Sequence, residues 1–129
     1  MEVRLALDTN AYIDGMRGDK SVALLTENAD AVYLPFVVIA ELRYGFLRGS
    51  SGTREERLLN AFLAKPSIVV LMPDDATTRH YAMIRQQLHV TGKPIPANDI
   101  WIAALVIQHS LTLCTRDKHF AALPQIPRV

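Results

Sequence analysis

Four short apolar runs, separated by longer helix-forming stretches, set the main constraint on how this chain folds. They are Val3–Leu7, Ala31–Leu34, Ser67–Leu71 and Leu111–Cys114. Runs of this length suit strands buried in a sheet. The first ends at Asp8-Thr9-Asn10, a polar cluster that stops strands and starts helices. The second is stopped by Pro35, and the third ends near Pro73. Between them, Ala11–Arg17 and Ser21–Asn28 suit short helices split by Gly18 and Asp19. Phe36–Leu47 reads as a helix ended by Gly49 and Ser50-Ser51-Gly52. Thr53–Ala64 opens with Thr53 and Glu56 at the spacing of a capping box. Asp75–Val90 carries apolar or aromatic residues at 76, 81, 84 and 88, an amphipathic pattern that Gly92 and Pro94 break. Ala97–His109 is apolar nearly all round and is expected to be a buried helix. A short turn or helix is expected over Lys118–Leu123. Strands alternating with helices predict an α/β fold with a parallel sheet covered on both faces. A length of 129 residues fits one domain over 1–129.

Charge narrows the partners. Lys and Arg total 14 and Asp and Glu 13, so no general electrostatic carpet for nucleic acid or membrane exists. Any polyanion must be held by a local patch. The longest stretch without Asp, Glu, Lys or Arg, Ile100–Thr115, is interrupted by Gln108, His109 and Ser110 and falls short of the roughly 20 residues of a membrane span. The N-terminus, Met1-Glu2-Val3-Arg4, carries an acid and has only a short apolar stretch before Asp8, so no signal peptide is expected there. One cysteine, Cys114, excludes an internal disulfide and a cysteine-based zinc site. A soluble, cytoplasmic protein is expected.

In open α/β sheets, sites form beyond the carboxyl ends of strands, which directs attention to Asp8 and Asp117. Taken singly, Asp8 reads as a helix N-cap, Asp99 as a cap of the apolar helix and Asp117 as an exposed turn residue. Glu41 is harder to place. Its helical neighbours Val37, Val38, Tyr44 and Gly45 offer no countercharge, only one hydrogen bond from Tyr44. It must be exposed, protonated, paired from elsewhere or bound to a cation. Four carboxylates gathered at one sheet edge repel each other unless a divalent cation neutralises them. Oxygen ligands favour Mg²⁺ or Mn²⁺, and such a site suits phosphodiester hydrolysis. With those four set aside, 14 basic residues face only 9 acidic ones. Arg43, Arg48, Arg85, Lys93, Arg116 and Lys118 become candidate phosphate contacts. His80, His89, His109 and His119 show no spacing that compels a role; His119 is merely near Asp117.

Leu-Asp-Thr-Asn at 7–10, Ala-Glu-Leu-Arg-Tyr-Gly at 40–45, Pro-Ile-Pro-Ala-Asn-Asp-Ile-Trp-Ile-Ala-Ala at 94–104 and Thr-Arg-Asp at 115–117 resemble PIN-domain ribonucleases, and more narrowly VapC toxins of toxin–antitoxin pairs. No one motif is specific alone; the four in this order are, and they span the chain. The resemblance implies a three-layer α/β/α PIN-like fold and Mg²⁺- or Mn²⁺-dependent RNA endonuclease activity that leaves 5′-phosphate and 3′-hydroxyl ends. It maps the acidic site onto Asp8, Glu41, Asp99 and Asp117, with Thr9, Asn10 and Thr115 at supporting polar positions. It also implies a homodimer and a VapB-like antitoxin that wraps over the groove.

Three other classes compete. A phospho-accepting receiver domain shares the size and strand–helix alternation but needs an acidic pair after its first strand, where this chain has Asp8 alone. A noncatalytic RNA- or protein-binding module does not account for the complete acidic set. A nucleotide-binding enzyme is weaker still: Gly49-Ser50-Ser51-Gly52-Thr53 lacks the P-loop lysine, no Gly-x-Gly-x-x-Gly run occurs, and a flexible connection explains Gly49 and Gly52 better.

Overall fold

The computed structural model describes residues 2–129. Four strands, β1 (Arg4–Leu7), β2 (Ala31–Pro35), β3 (Ile68–Leu71) and β4 (Thr112–Cys114), form one sheet in the order β3-β2-β1-β4. All neighbouring pairs are parallel, with Leu5 opposite Val32 on one side and Thr112 on the other. β1 sits inside the sheet, and Leu5, Ala6 and Leu7 are all buried. That is why its sequence reads as a continuous apolar run rather than an alternating one. β3 lies at an edge and leaves Val69 and Val70 partly open.

Six helices flank the sheet: α1 (Thr9–Met16), α2 (Lys20–Asn28), α3 (Phe36–Arg48), α4 (Gly52–Leu63), α5 (Asp75–Thr91) and α6 (Ala97–Gln108). The chain steps from β1 through β2 to β3, then returns across the sheet to β4. Right-handed crossovers put the helices of the outward steps on one face and those of the return on the other. The result is the three-layer α/β/α arrangement. α6 is the buried helix its composition demands: Ile100 and every residue from Ile102 to Val106 are enclosed. Truncating a core side chain such as Leu105 or Leu113 to alanine is expected to cost about 2–5 kcal/mol.

Local signals were partly misleading. Thr53 and Glu56 form no capping box; α4 starts one residue earlier, after Ser51, and Glu56 pairs with Arg43 instead. The capping box belongs to α5, where Asp74 and Thr77 exchange side-chain and backbone hydrogen bonds. Gly52 has a steric role. A β-carbon there would run into the Phe46 carbonyl oxygen, so no side chain fits. Pro35 closes β2 from within and serves as the N-cap of α3. The last residues had no strand-like pattern, yet Leu113 bridges to Arg128, and backbone bonds from Leu113 to Pro127 and from Thr115 to Val129 cover the outer edge of β4. Backbone pairing of this kind satisfies an open edge without any side-chain signature.

Candidate functional site

The strand order reverses between β1 and β4, and a crevice at their carboxyl ends follows from that reversal. Asp8 comes immediately after β1, and its backbone N–H reaches the carbonyl of Cys114 at the end of β4. Its side chain is the N-cap of α1: Oδ1 accepts from the Ala11 N–H at 2.8 Å. Oδ2 accepts from the Thr115 hydroxyl. The capping role is therefore real, and it holds a carboxylate that is only 5% exposed at the carboxyl end of β1.

Glu41 approaches from α3 and accepts a hydrogen bond from Thr9 Oγ1 at 3.1 Å. Tyr44 is not its partner; that ring lies under Arg48. Asp99 is in the first turn of α6, but Pro96 occupies the cap position, so Asp99 is not the cap. Its Oδ2 lies 3.0 Å from His119 Nδ1. Asp117 caps the 3₁₀ turn Lys118–Ala122 by accepting from the His119 N–H at 2.9 Å. Asp99, Asp117 and His119 each bring a potential ligand atom within 4.8 Å of the others.

Burial raises the pKa of Asp8, Glu41 and Asp99 above the ordinary carboxylate range, and the acids reinforce one another. Asp117 adds to the shifts of Asp8 and Asp99, while Asp99 and Asp8 add to that of Glu41. Hydrogen bonds from Thr115, Thr9 and His119 pull the other way without winning. Among the described residues, neither Asp8 nor Glu41 pairs with a Lys, Arg or His. Nearby carboxylates without a countercharge, in a setting rich in oxygen donors, match the requirements of a hard divalent ion.

The other expected residues are dispersed. Thr9 and Thr115 each hold one acid. Asn10 turns aside into a small cavity shared with Asp14 and Arg116. Arg116 spans Asp14 at 3.1 Å and Asp19 at 2.9 Å. Arg43 pairs with Glu56, Arg48 lies against Tyr44, and Arg85 donates to the Tyr81 hydroxyl. Lys93 and Lys118 are exposed. Residues missed in the sequence are His119, which touches Asp99 and Asp117, and Arg17 and Arg54. Those two arginines line a groove of about 560 Å³ that begins at Thr9 and Glu41 and has Tyr12 and Phe46 in its walls. His119 lies two residues past Asp117, its one local signal; the groove arginines come from the C-cap of α1 and from α4, with no local pattern to join them.

Residues 5–126 match the PIN domain family. The chain belongs to the PIN-domain family. This PIN domain is 36% identical over 121 residues to toxin FitB of Neisseria gonorrhoeae, covering 88% of the chain and 87% of that relative. It is 32% identical over 117 residues to ribonuclease VapC5 of Mycobacterium tuberculosis, covering 91% and 85%. It is also similar to the crystal structure of VapBC-5 from Mycobacterium tuberculosis, a member of the VapBC family of toxin–antitoxin systems. There the TM-score is 0.76 at 29% identity, with 98% and 99% of the two chains covered. The VapC-like PIN resemblance and the α/β class read from the sequence both hold.

Proposed function

We propose that this PIN domain, as one unit over residues 1–129, is a metal-dependent RNA endonuclease and the toxin of a toxin–antitoxin pair. What supports the reading is a set of acids that act on one another: Asp99 and Asp117 bring ligand atoms within 4.8 Å of each other, and burial and neighbouring acids raise the pKa of Asp8, Glu41 and Asp99, with Asp8 and Glu41 lacking a cation among the described residues. The names of its relatives, a ribonuclease and a toxin, support it.

These four carboxylates would hold Mg²⁺ or Mn²⁺. Such an ion supplies charge to a scissile phosphate and lowers the pKa of an attacking water. The chain's own residues prepare the place. Thr115 fixes Asp8 from one side of the crevice and Thr9 fixes Glu41 from the other. The N-cap bond to Ala11 locks the Asp8 rotamer. Basic side chains around the rim position the RNA backbone while the acids serve the reacting phosphate. Purified protein free of any partner should cleave RNA with Mg²⁺ or Mn²⁺ and stop with EDTA; equal cleavage after rigorous metal removal rejects the mechanism.

The same charge pattern suggests how a VapB-like antitoxin inhibits. It covers the four acids and places an Arg or Lys among them. A complex that inhibits while leaving all four open to solvent refutes direct occlusion. The toxin is proposed to work in the cytoplasm as a homodimer, which light scattering of the isolated protein tests. Among the described residues, no helix is long and apolar enough to cross a membrane.

A further inference from the structure

The imidazole of His119 stands where the acidic site most needs a donor. Nδ1 lies 3.0 Å from Asp99 Oδ2 and 3.2 Å from Asp117 Oδ1. Ionised carboxylates only accept hydrogen bonds, so Nδ1 must carry the hydrogen, whether the ring is neutral or charged. The two acids come from separate elements, α6 and the segment after β4. The ring is the contact that joins them. His119 also donates its backbone N–H to Asp117 Oδ1 at 2.9 Å. The Asp117 N–H donates to Thr115 Oγ1 at 3.0 Å, and the Thr115 hydroxyl donates to Asp8. One continuous hydrogen-bonded chain thus ties Asp99, His119, Asp117, Thr115 and Asp8 together. In that chain Asp99 Oδ1 and Asp117 Oδ2 accept no hydrogen bond from the described residues.

We propose that His119 is a positioning residue of the metal site: its Nδ1–H holds Asp99 while its backbone N–H holds Asp117, which gathers the two acids and leaves one oxygen of each free for the divalent ion. The proposal rests on the metal-dependent reading above. It differs from direct ligation by His119, in which a ring nitrogen, Nε2 or a deprotonated Nδ1, would itself bond the ion. It differs also from an incidental surface histidine, which its exposure alone would suggest. Groups that orient metal ligands through hydrogen bonds typically contribute 10- to 100-fold to metal affinity.

The test is Mn²⁺ binding by the full chain without a partner, read from the electron paramagnetic resonance of free Mn²⁺. His119→Ala should weaken binding about 10- to 100-fold. His119→Asn should restore most of it, because its amide N–H reaches about where Nδ1–H lies. His119→Gln, with its donor one carbon further out, should not. Circular dichroism checks folding of each variant, and the Asn and Gln pair decides the matter if the alanine variant is unfolded. Unchanged affinity in His119→Ala, or equal affinity in the Asn and Gln variants, overturns the proposal. So does a pulsed-resonance signature of an imidazole nitrogen bonded to Mn²⁺ in the wild type, which would make His119 a ligand. If the wild type binds no Mn²⁺, the metal reading falls and takes this role with it. If Asp99→Asn abolishes binding while His119→Ala does not, only the positioning role is lost.

Discussion

Two acidic clusters lie side by side in this molecule and are treated in opposite ways. In one, Asp14 and Asp19 grip Arg116 across the α1–α2 turn. The arginine holds Asp19 below its ordinary pKa, and the carboxylate in turn raises that of the guanidinium. In the other, Asp8, Glu41 and Asp99 are raised by burial and by each other. Arg116 separates Thr115, which serves Asp8, from Asp117, yet its charge is directed to the first cluster. The number of acids in a region therefore says little. What marks a place prepared for an external cation is that the chain has an arginine within one residue and spends it elsewhere.

The sharpest way to break this contrast is to neutralise one acid in each cluster. Asp8→Asn or Glu41→Gln should reduce metal-dependent RNA cleavage by at least about 100-fold, the usual loss when one stabilising group of a reaction centre is removed. Asp19→Asn should leave cleavage within the same order of magnitude. Rates measured under saturating Mg²⁺ on one RNA substrate compare the two directly. Similar losses in both clusters would mean that the paired acids are also part of the reaction centre.

Metal supplies the second contrast. A ligand at 100 times its Kd stabilises the native state by about 2.7 kcal/mol. Mg²⁺ or Mn²⁺ at that excess should raise the melting temperature of the wild type and of Asp19→Asn, and barely move Asp8→Asn. Calorimetry with and without EDTA reads the difference. Equal stabilisation of Asp8→Asn would place the ion elsewhere.

The sequence made some of this legible. Long-range order came from patterns that burial enforces: the apolar runs at 3–7 and 111–114 had to be strands next to each other's ends for Asp8 and Asp117 to meet. Glu41 stood out because its own helix offered no countercharge. What could not be read was pairing through space. Nothing local says that Arg116 prefers Asp14 and Asp19, 102 and 97 positions away, to a phosphate. His119 looked incidental because its link to Asp99 is made by the fold, although its backbone bond to Asp117 is a local one. Thr53 and Glu56 had the correct spacing for a cap, but the helix starts one residue earlier and Glu56 is taken by Arg43 from the neighbouring helix, a pairing through space.

The pH dependence of stability should differ in sign between the clusters. For Asp8, Glu41 and Asp99 the folded pKa lies above the unfolded one. Their contribution to the metal-free fold is thus complete below the ordinary carboxylate range, about pH 4, and is lost as pH rises through the raised values. For Asp19 the folded pKa is lowered, so its contribution is present above that range and is lost as pH falls. Glu41→Gln should therefore raise the melting temperature of metal-free protein at neutral pH, with the gain shrinking on acidification. Asp19→Asn should lower it at neutral pH, with the loss shrinking below about pH 4. Melting curves from pH 7 downward, in EDTA, check both signs.

The smallest expected effect concerns the cations. Arg43 and Arg116 have carboxylate partners, whereas Arg17 and Arg54 line the groove that starts at Glu41 and have no ion pair among the described residues. If RNA follows that groove, Arg17 and Arg54 meet phosphates and Arg43 does not, because moving Arg43 would first break its contact with Glu56. Each phosphate contact on a single strand adds about 0.7 to the slope of log affinity against log salt. Arg17→Gln and Arg54→Gln together should therefore flatten that slope by about 1.4 in metal-free binding to a noncleaved RNA. Arg43→Gln should leave it nearly unchanged. The opposite outcome would send the strand past α3 rather than along the α1–α4 groove. Because this binding is measured without metal, it separates the path of the RNA from the chemistry of the acids.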